Sequence, residues 1–347
     1  MSDLKNEQLE VYNKYIEGKN IFITGPGGSG KTHLIKAIVK DLLEKDLKKK
    51  LKEIELKENE LKEKKLKENE LKEIIELKEK DKSFKVCAMT GCAAILLMCG
   101  ATTLHTFAGI GLAKGSIEEV VEKVVKNRHK RPNWHKTNIL IVDEVSMLSL
   151  KIFMILDLIA RKIKKQPLKP FGGMQIIFSG DFYQLPPVGN NDEPDTTKFC
   201  FESALWNETF PQENQIQLKT MFRQTDPKYI KILNGIRVGK ITNSTITTLT
   251  ACVNKKDQDD AKPTILLPRR KDADIINNKE LNKLDSTNEK EYLISQVPEL
   301  ELSLTKEQIT NLSLFTPKER EYEVQNLSES VIVEKKIKLR IGTVVMC

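Results

Sequence analysis

The stretch "IIFSGDFYQLPPVG" at 176–189 ends an apolar run, Ile176, Ile177 and Phe178, with a turn, and then presents Gln184 just before Pro186 and Pro187. A glutamine has no useful acid–base chemistry, but its amide can orient a water or touch a phosphate oxygen. A cradle for the phosphate lies upstream. Gly25-Pro26-Gly27-Gly28-Ser29-Gly30-Lys31-Thr32 fits G-x-x-x-x-G-K-[ST]. Apolar Ile21, Phe22 and Ile23 precede it, and Leu34, Ile35, Ile38 and Leu42 follow at helical spacing, so the motif has its strand, loop and helix. The glycines let backbone N–H groups close on the phosphates of ATP, and the helix N-terminus adds its dipole. Lys31 is expected to reach the β and γ phosphates, and the Thr32 hydroxyl to hold Mg²⁺.

A second apolar run, "NILIVDEVSML" at 138–148, ends in Asp143-Glu144. A carboxylate at a strand end beside the cradle can join the Mg²⁺ shell, which assigns Asp143. Glu144 is then placed to take a proton from the attacking water. In a parallel sheet, neighbouring strands deliver their loops to the same edge, so Gln184 meets the γ-phosphate or its water there. The prolines stiffen the segment that follows. A sensor in that place would link the phosphate state to whatever the loop touches.

Between these runs lies "VCAMTGCAAILLMCGATTLHTFAGIG", 86–111. Thr90, Gly91 and Ala94 follow a strand-like stretch, and Thr103, His105 and Phe107 come next. Hydroxyls and closely approachable backbone suit a nucleic-acid backbone, and His105 and Phe107 suit base stacking. The same pattern reads equally as a helix with buried Ile95, Leu96, Leu97 and Met98, and with Phe107 in the core. "KNRHKRPNWHK" at 126–136 reads either as a basic DNA-facing loop or as a solvated one.

The whole chain has 347 residues and a net charge of +8, enough for two domains and compatible with a polyanionic partner. The six cysteines, Cys87, Cys92, Cys99, Cys200, Cys252 and Cys347, lack zinc-ligand spacing. Cys92 and Cys99 sit among apolar residues and read as buried reduced thiols. No signal peptide or long apolar span is present, which gives a soluble intracellular class with no membrane role and no assignable compartment.

Together these segments resemble the petite-integration-frequency family of DNA helicases, RecD-like members of helicase superfamily one. The resemblance is carried by "GPGGSGKT", "TGCAA" with "TTLHTFAGIGLAKG", "VDEVSMLSLKIFMILDLIARKIK", "PFGGMQIIFSGDFYQLPPV", "MFRQTDPKYIKILNGIRVGKIT" and "LLPRRKDADIINNKELNKL". It spans nearly all of the chain except 44–82. It implies ATP-driven movement along single-stranded DNA, 5′-to-3′ polarity, and unwinding at duplex junctions by a monomer in repair, recombination, replication or telomere maintenance. It also implies that Gln8 reads adenine and that Arg223 reaches the γ-phosphate.

Two stretches depart from that pattern. In 51–75, leucines recur every five residues and so wind around a helix, which excludes a coiled coil, while Glu–Lys pairs four apart support a charged exposed helix or a low-complexity coil. At the C-terminus, Val344, Val345 and Met346 read as a strand in progress, and the family's late motifs are missing. The fold expected is α/β. A RecA-like domain with a parallel sheet flanked by helices spans 1–213. It carries the insertion 44–82 and a small basic subdomain near 109–136. A partial second RecA-like domain spans 214–347, with ATP between the two. The rival readings are a DNA-binding fragment without turnover and an ATPase acting on protein through 44–82; an RNA substrate also fits the residues.

Overall fold

The computed structural model describes residues 4–64, 83–190, 192–253, 265–293, 316–318, 321 and 336–345, with the backbone alone for 49–64. The chain divides into two compact units, Met1–Asn254 and Lys255–Cys347.

The first unit is built on β1 (Ile21–Thr24), β2 (Phe84–Ala88), β3 (Thr102–Thr103), β4 (Ile139–Asp143), β5 (Gln175–Gly180) and β6 (Gln215–Gln217). They form one sheet in the order β3-β2-β4-β5-β1-β6, with every pairing parallel. A parallel sheet is covered on both faces, so its central strands are almost continuously apolar. Alternate residues serve opposite faces. Ile21, Ile23, Val86, Ile141 and Ile177 join one core; Phe22, Cys87, Leu140, Val142 and Phe178 join the other.

The first face is covered by α1 (Glu7–Ile16), α2 (Lys31–Lys64) and α3 (Gly91–Leu97), through Val11, Tyr12, Leu34, Ile38 and Leu97. The short α4 (Leu104–Ala108) follows β3. The second face is covered by α5 (Ile117–Lys126), α6 (Arg131–Lys136), α7 (Leu150–Lys164) and α8 (Leu205–Thr209), through Val120, Trp134, Phe153 and Trp206. Ring contacts among Phe22, Phe153, Phe178, Trp206 and Phe210 lie between 4.7 and 6.5 Å, each adding about 0.5–1.5 kcal/mol beyond burial. Segment 109–136, expected as a small basic subdomain, contributes Ile110, Val120, Val121, Val124 and Trp134 to this core.

Leu42 is the last buried residue of α2 among the side chains described, and the helix runs on to Lys64. The charged repeat therefore begins as helix, and the remainder of that insertion, 65–82, lies outside the described residues. The first unit closes with α9 (Pro227–Arg237), started by Asp226 accepting from the Lys228 and Tyr229 amides, and α10 (Asn243–Thr250).

The second unit contains α11 (Arg270–Leu281) and an antiparallel pair, β7 (Lys290–Leu293) with β8 (Lys336–Leu339). Arg340 closes it, pairing with Glu289 at 2.8 Å and donating to the carbonyls of Leu281 and Leu284. The strand expected at Val344-Val345 is absent. Leu339 is the last residue with a partner on β7, and the chain turns at Gly342 with φ +93°. Met346 lies outside the described residues.

Candidate functional site

The register fixes which residues meet. Thr24 pairs with both Gly180 and Gln217, Val142 with Phe178, and Ala88 with Asp143. Parallel strands ending level deliver five successors to one sheet edge: the loop 25–30, Glu144, Asp181–Gln184, Leu218–Gln224 and Thr90-Gly91. Gln184 and the glycine loop, singled out on residue type, are thus brought to the same edge.

Lys31 is only 9% exposed. Its Nζ donates to the carbonyls of Gly25 at 2.6 Å and Pro26 at 3.2 Å. Burial pulls its pKa below the ordinary lysine value, against the charges of Asp181, Glu144 and Asp143. A cation held this way by loop carbonyls is stripped of water and prepared to trade them for phosphate oxygens. The Ser29 hydroxyl is buried beside it with no hydrogen-bond partner. An unmet buried polar group costs about 1–3 kcal/mol, which an anion in the loop would offset. Gln8 is buried and donates to the Gly30 carbonyl at 3.4 Å, so the residue expected to read adenine sits at the end of the loop.

The segment around Arg223 lies on that loop. The Phe222 amide donates to the Gly28 carbonyl at 2.9 Å, and a methyl group on Gly28 would meet Arg223 Cβ at 2.8 Å. Arg223 is therefore brought beside the cradle.

Asp143 is buried, and its Oδ1 accepts from the Glu144 amide at 3.0 Å. Glu144 has φ 59° and ψ 40°, a left-handed conformation unusual for a side chain of this size. Gly180 makes room for the turn: a Cβ there would stand 2.9 Å from Val145 Cγ2. Burial raises the pKa of both carboxyls, and for Glu144 the Asp143 charge adds to it. A glutamate with a raised proton affinity beside a deeply buried aspartate can act as a base.

Two residues were missed. Asp181, within the opening stretch, is 1% exposed and forms a two-pronged pair with Arg237 of α9, Nε to Oδ2 at 2.7 Å and Nη2 to Oδ1 at 2.6 Å. The Arg237 guanidinium also lies 4.4 Å from the centre of the Tyr183 ring. Gln184 is exposed, with Nε2 3.5 Å from Asp181 Oδ2. A sequence signal existed only for Asp181, as a carboxylate following a strand in the manner of Asp143.

The residues proposed for DNA separate into groups. Thr90 caps α3 by accepting from the Ala93 amide, and Thr103 caps α4 by accepting from the Thr106 amide. Gly91 is exposed, His105 is half-buried with its pKa lowered by burial, and Ala94 is buried. Phe107 is 4% exposed with its ring 5.0 Å from Trp134, whose Nε1 donates to the Ala108 carbonyl. Phe107 packs in the core, and so does the tryptophan of the basic stretch. Ile95, Leu96 and Met98, the alternative core residues, are 77, 68 and 84% exposed, and only Leu97 is buried. Cys92 is exposed and Cys99 half-buried, against the expectation of buried thiols; Cys87 and Cys200 are the buried pair. The cause is the same throughout: α3 is short and turns a single side, Ala94 and Leu97, to the sheet.

Among the described residues, no group of three or more His, Cys, Asp or Glu is placed to hold a metal ion. Thr32 lies in the first turn of α2 at the end of the loop and Asp143 ends β4 at the same sheet edge; both carry oxygen, the donor type a hard cation takes. No described helix is long and apolar enough to cross a membrane.

Residues 67–246 match the family model described as PIF1-like helicase. The chain is 32% identical over 283 residues to the ATP-dependent DNA helicase RRM3 of Saccharomyces cerevisiae, covering 81% of this chain and 34% of that protein. It is 36% identical over 281 residues to the ATP-dependent DNA helicase PIF1 of Emericella nidulans, covering 80% and 32%. The chain thus spans about a third of the length of these curated relatives. Among solved structures, the Pif1 helicase from Candida albicans superposes with a TM-score of 0.69 at 28% identity, over 99% of this chain and 64% of that one. Bacteroides Pif1 bound to ssDNA shares the fold, with a TM-score of 0.64 at 24% identity, over 98% and 64%.

Proposed function

The chain belongs to the PIF1-like helicase family, and from that premise we propose that it is the ATP-driven motor part of a DNA helicase, acting on single-stranded DNA and duplex junctions. The observation that carries the reading is the convergence of Lys31, Asp143, Glu144, Gln184 and Arg223 on one sheet edge around the glycine loop.

Lys31 leaves the Gly25 and Pro26 carbonyls and takes up charge on the β and γ phosphates. The backbone N–H groups of Gly27 to Thr32 surround those phosphates, the Ser29 hydroxyl gaining the partner it lacks. Gln8 reads the adenine from its position at the end of the loop. Thr32 and Asp143 would hold Mg²⁺, which when bound would neutralise charge on the phosphates. Glu144 accepts the proton of the attacking water, its raised proton affinity matching that task. Gln184 orients that water or the γ-phosphate. Arg223 meets the developing charge, a role worth about 10³–10⁵ in rate in well-studied NTPases. Single-stranded DNA follows the edge formed by Thr90, Gly91, Thr103 and His105. Its bases lie against the exposed apolar side chains of α3, which take the part first given to Phe107. Movement is 5′-to-3′, in the service of genome maintenance.

The test is strand displacement on a duplex carrying a 5′ or a 3′ single-stranded tail, with ATP and with a non-hydrolysable analogue. ATP-dependent displacement confined to the 5′-tailed substrate is the outcome expected. Displacement without hydrolysis, or none alongside normal DNA binding, would reject the motor in favour of a binding role.

A further inference from the structure

Asp181 follows directly on β5, the strand that separates β1 with its glycine loop from β4 with Asp143. Of the carboxylates acting on Lys31, it is the strongest. Left alone, it would draw the Lys31 ammonium to itself and repel a phosphate. It is not left alone, because Arg237 occupies both of its oxygens. Asp181 also organises the sensor loop through its backbone carbonyl and its carboxylate. The Gln184 amide N–H donates to the Asp181 carbonyl at 2.8 Å, the Tyr183 amide donates to Oδ1 at 3.3 Å, and the Gln184 side chain stands 3.5 Å from Oδ2. Because Arg237 satisfies Oδ2 at 2.7 Å, the Gln184 side chain can leave for a phosphate without stranding a buried charge. Stranding one costs several kcal/mol in general.

We infer that Arg237 is a positioning residue: through Asp181 and Tyr183 it aims Gln184 and ties the nucleotide site to α9, so that the phosphate state is transmitted along that helix. Arg237 is the last residue of α9, and α9 follows the Arg223 segment resting on Gly28. The stretch from Arg223 to Arg237 is therefore joined to the nucleotide site at two places, to the phosphate loop by contact at Gly28 and to the sensor loop by the ion pair at Asp181. The plainer alternative is a helix-terminal arginine that complements the helix dipole and contributes only stability. Its 17% exposure and its two-pronged contact with a fully buried carboxylate distinguish it from an ordinary surface pair.

This inference rests on the nucleotide-site reading, and the experiment separates the two. Hydrogen–deuterium exchange of α9 is followed with and without ADP–aluminium fluoride, a γ-phosphate mimic, in wild type, Arg237→Gln, Arg237→Lys and Asp181→Asn. Nucleotide binding, steady-state ATP hydrolysis and thermal unfolding are measured alongside. In wild type the mimic protects the amides of α9. In Arg237→Gln that protection is lost, kcat falls about tenfold or more, and binding of the mimic changes less than about threefold. Arg237→Lys recovers part of the response, because a point charge cannot make the paired contact. If Arg237→Gln does not fold, the near-isosteric Asp181→Asn must show the same uncoupling. An α9 that ignores the mimic in wild type, protection retained in Arg237→Gln, or losses that only track the folded fraction would each overturn the inference. Failure of wild type to hydrolyse ATP while α9 still responds would instead reject the motor reading and leave the tether standing.

Discussion

Gly28 offers a sharp test of whether the Arg223 segment rests on the phosphate loop. Its φ is +89°, and a Cβ placed on it would lie 2.8 Å from both Arg223 Cβ and Gln224 Oε1, against the 3.4 Å at which ordinary contact begins. The left-handed backbone costs an alanine about 1–2 kcal/mol. The overlap adds an overpacking cost on the order of 1–3 kcal/mol, because Arg223 is met at its Cβ and cannot yield by bending a flexible tip. Gly27 is the matched control: nothing lies within 4 Å of its Cβ position and its φ is not in the left-handed range. There an alanine should be neutral, or stabilising by up to about 1 kcal/mol through the unfolded chain. The assay is intrinsic fluorescence, since both tryptophans, Trp134 and Trp206, are buried in the first unit and report its unfolding alone. At about 2–4 °C per kcal/mol, Gly28→Ala should melt several degrees below Gly27→Ala. Its ATP turnover should fall at least about tenfold as Arg223 is pushed off the loop. Equal melting and equal turnover in the two variants would refute the packing argued here.

Phe107→Ala should cost about 3–5 kcal/mol of stability in the fluorescence melt, with DNA affinity per folded molecule unchanged, because the ring packs on Trp134. A thiol reagent applied to the native protein should modify Cys92 and spare Cys87, whose pKa burial pushes up to about 12; mass spectrometry reads the sites. The Asp181 pair should show in the pH dependence of stability. Burial pushes that carboxyl up, but the hydrogen bonds and charge of Arg237 outweigh it and leave the pKa below the ordinary value. Its stabilisation is therefore present above the unfolded carboxylate value of about 3.9 and is lost as pH falls through the folded one. The melting gap between wild type and Asp181→Asn should be full at pH ~7 and close in acid below about pH 4.

The glycine loop, the strand ending in Asp143-Glu144 and the strand leading to Gln184 were legible because each is a contiguous signal: an apolar run, then the residue singled out. Parallel pairing alone then forces them to one edge, so the meeting of Lys31, Asp143 and Gln184 followed from pattern. Phe107 and Trp134 were not legible, since the burial of an isolated aromatic in a short helix depends on what packs over it. Ile95, Leu96 and Met98 went the other way: one of two even readings put them in the core, where the helix has one buried side. The Asp181–Arg237 pair spans 56 positions and carries no local periodicity. Nor does sequence reveal the left-handed turn at Glu144, because a glutamate rarely adopts it.

The most direct test of the central claim is Mg²⁺–ATP hydrolysis by the chain, with and without single-stranded DNA, beside Lys31→Ala. Stimulation by DNA that vanishes in Lys31→Ala is the result predicted, since Lys31 is the cation held in the loop and the proposed partner of the phosphates. Hydrolysis indifferent to DNA, or surviving in Lys31→Ala, would contradict a DNA-driven motor built on this site.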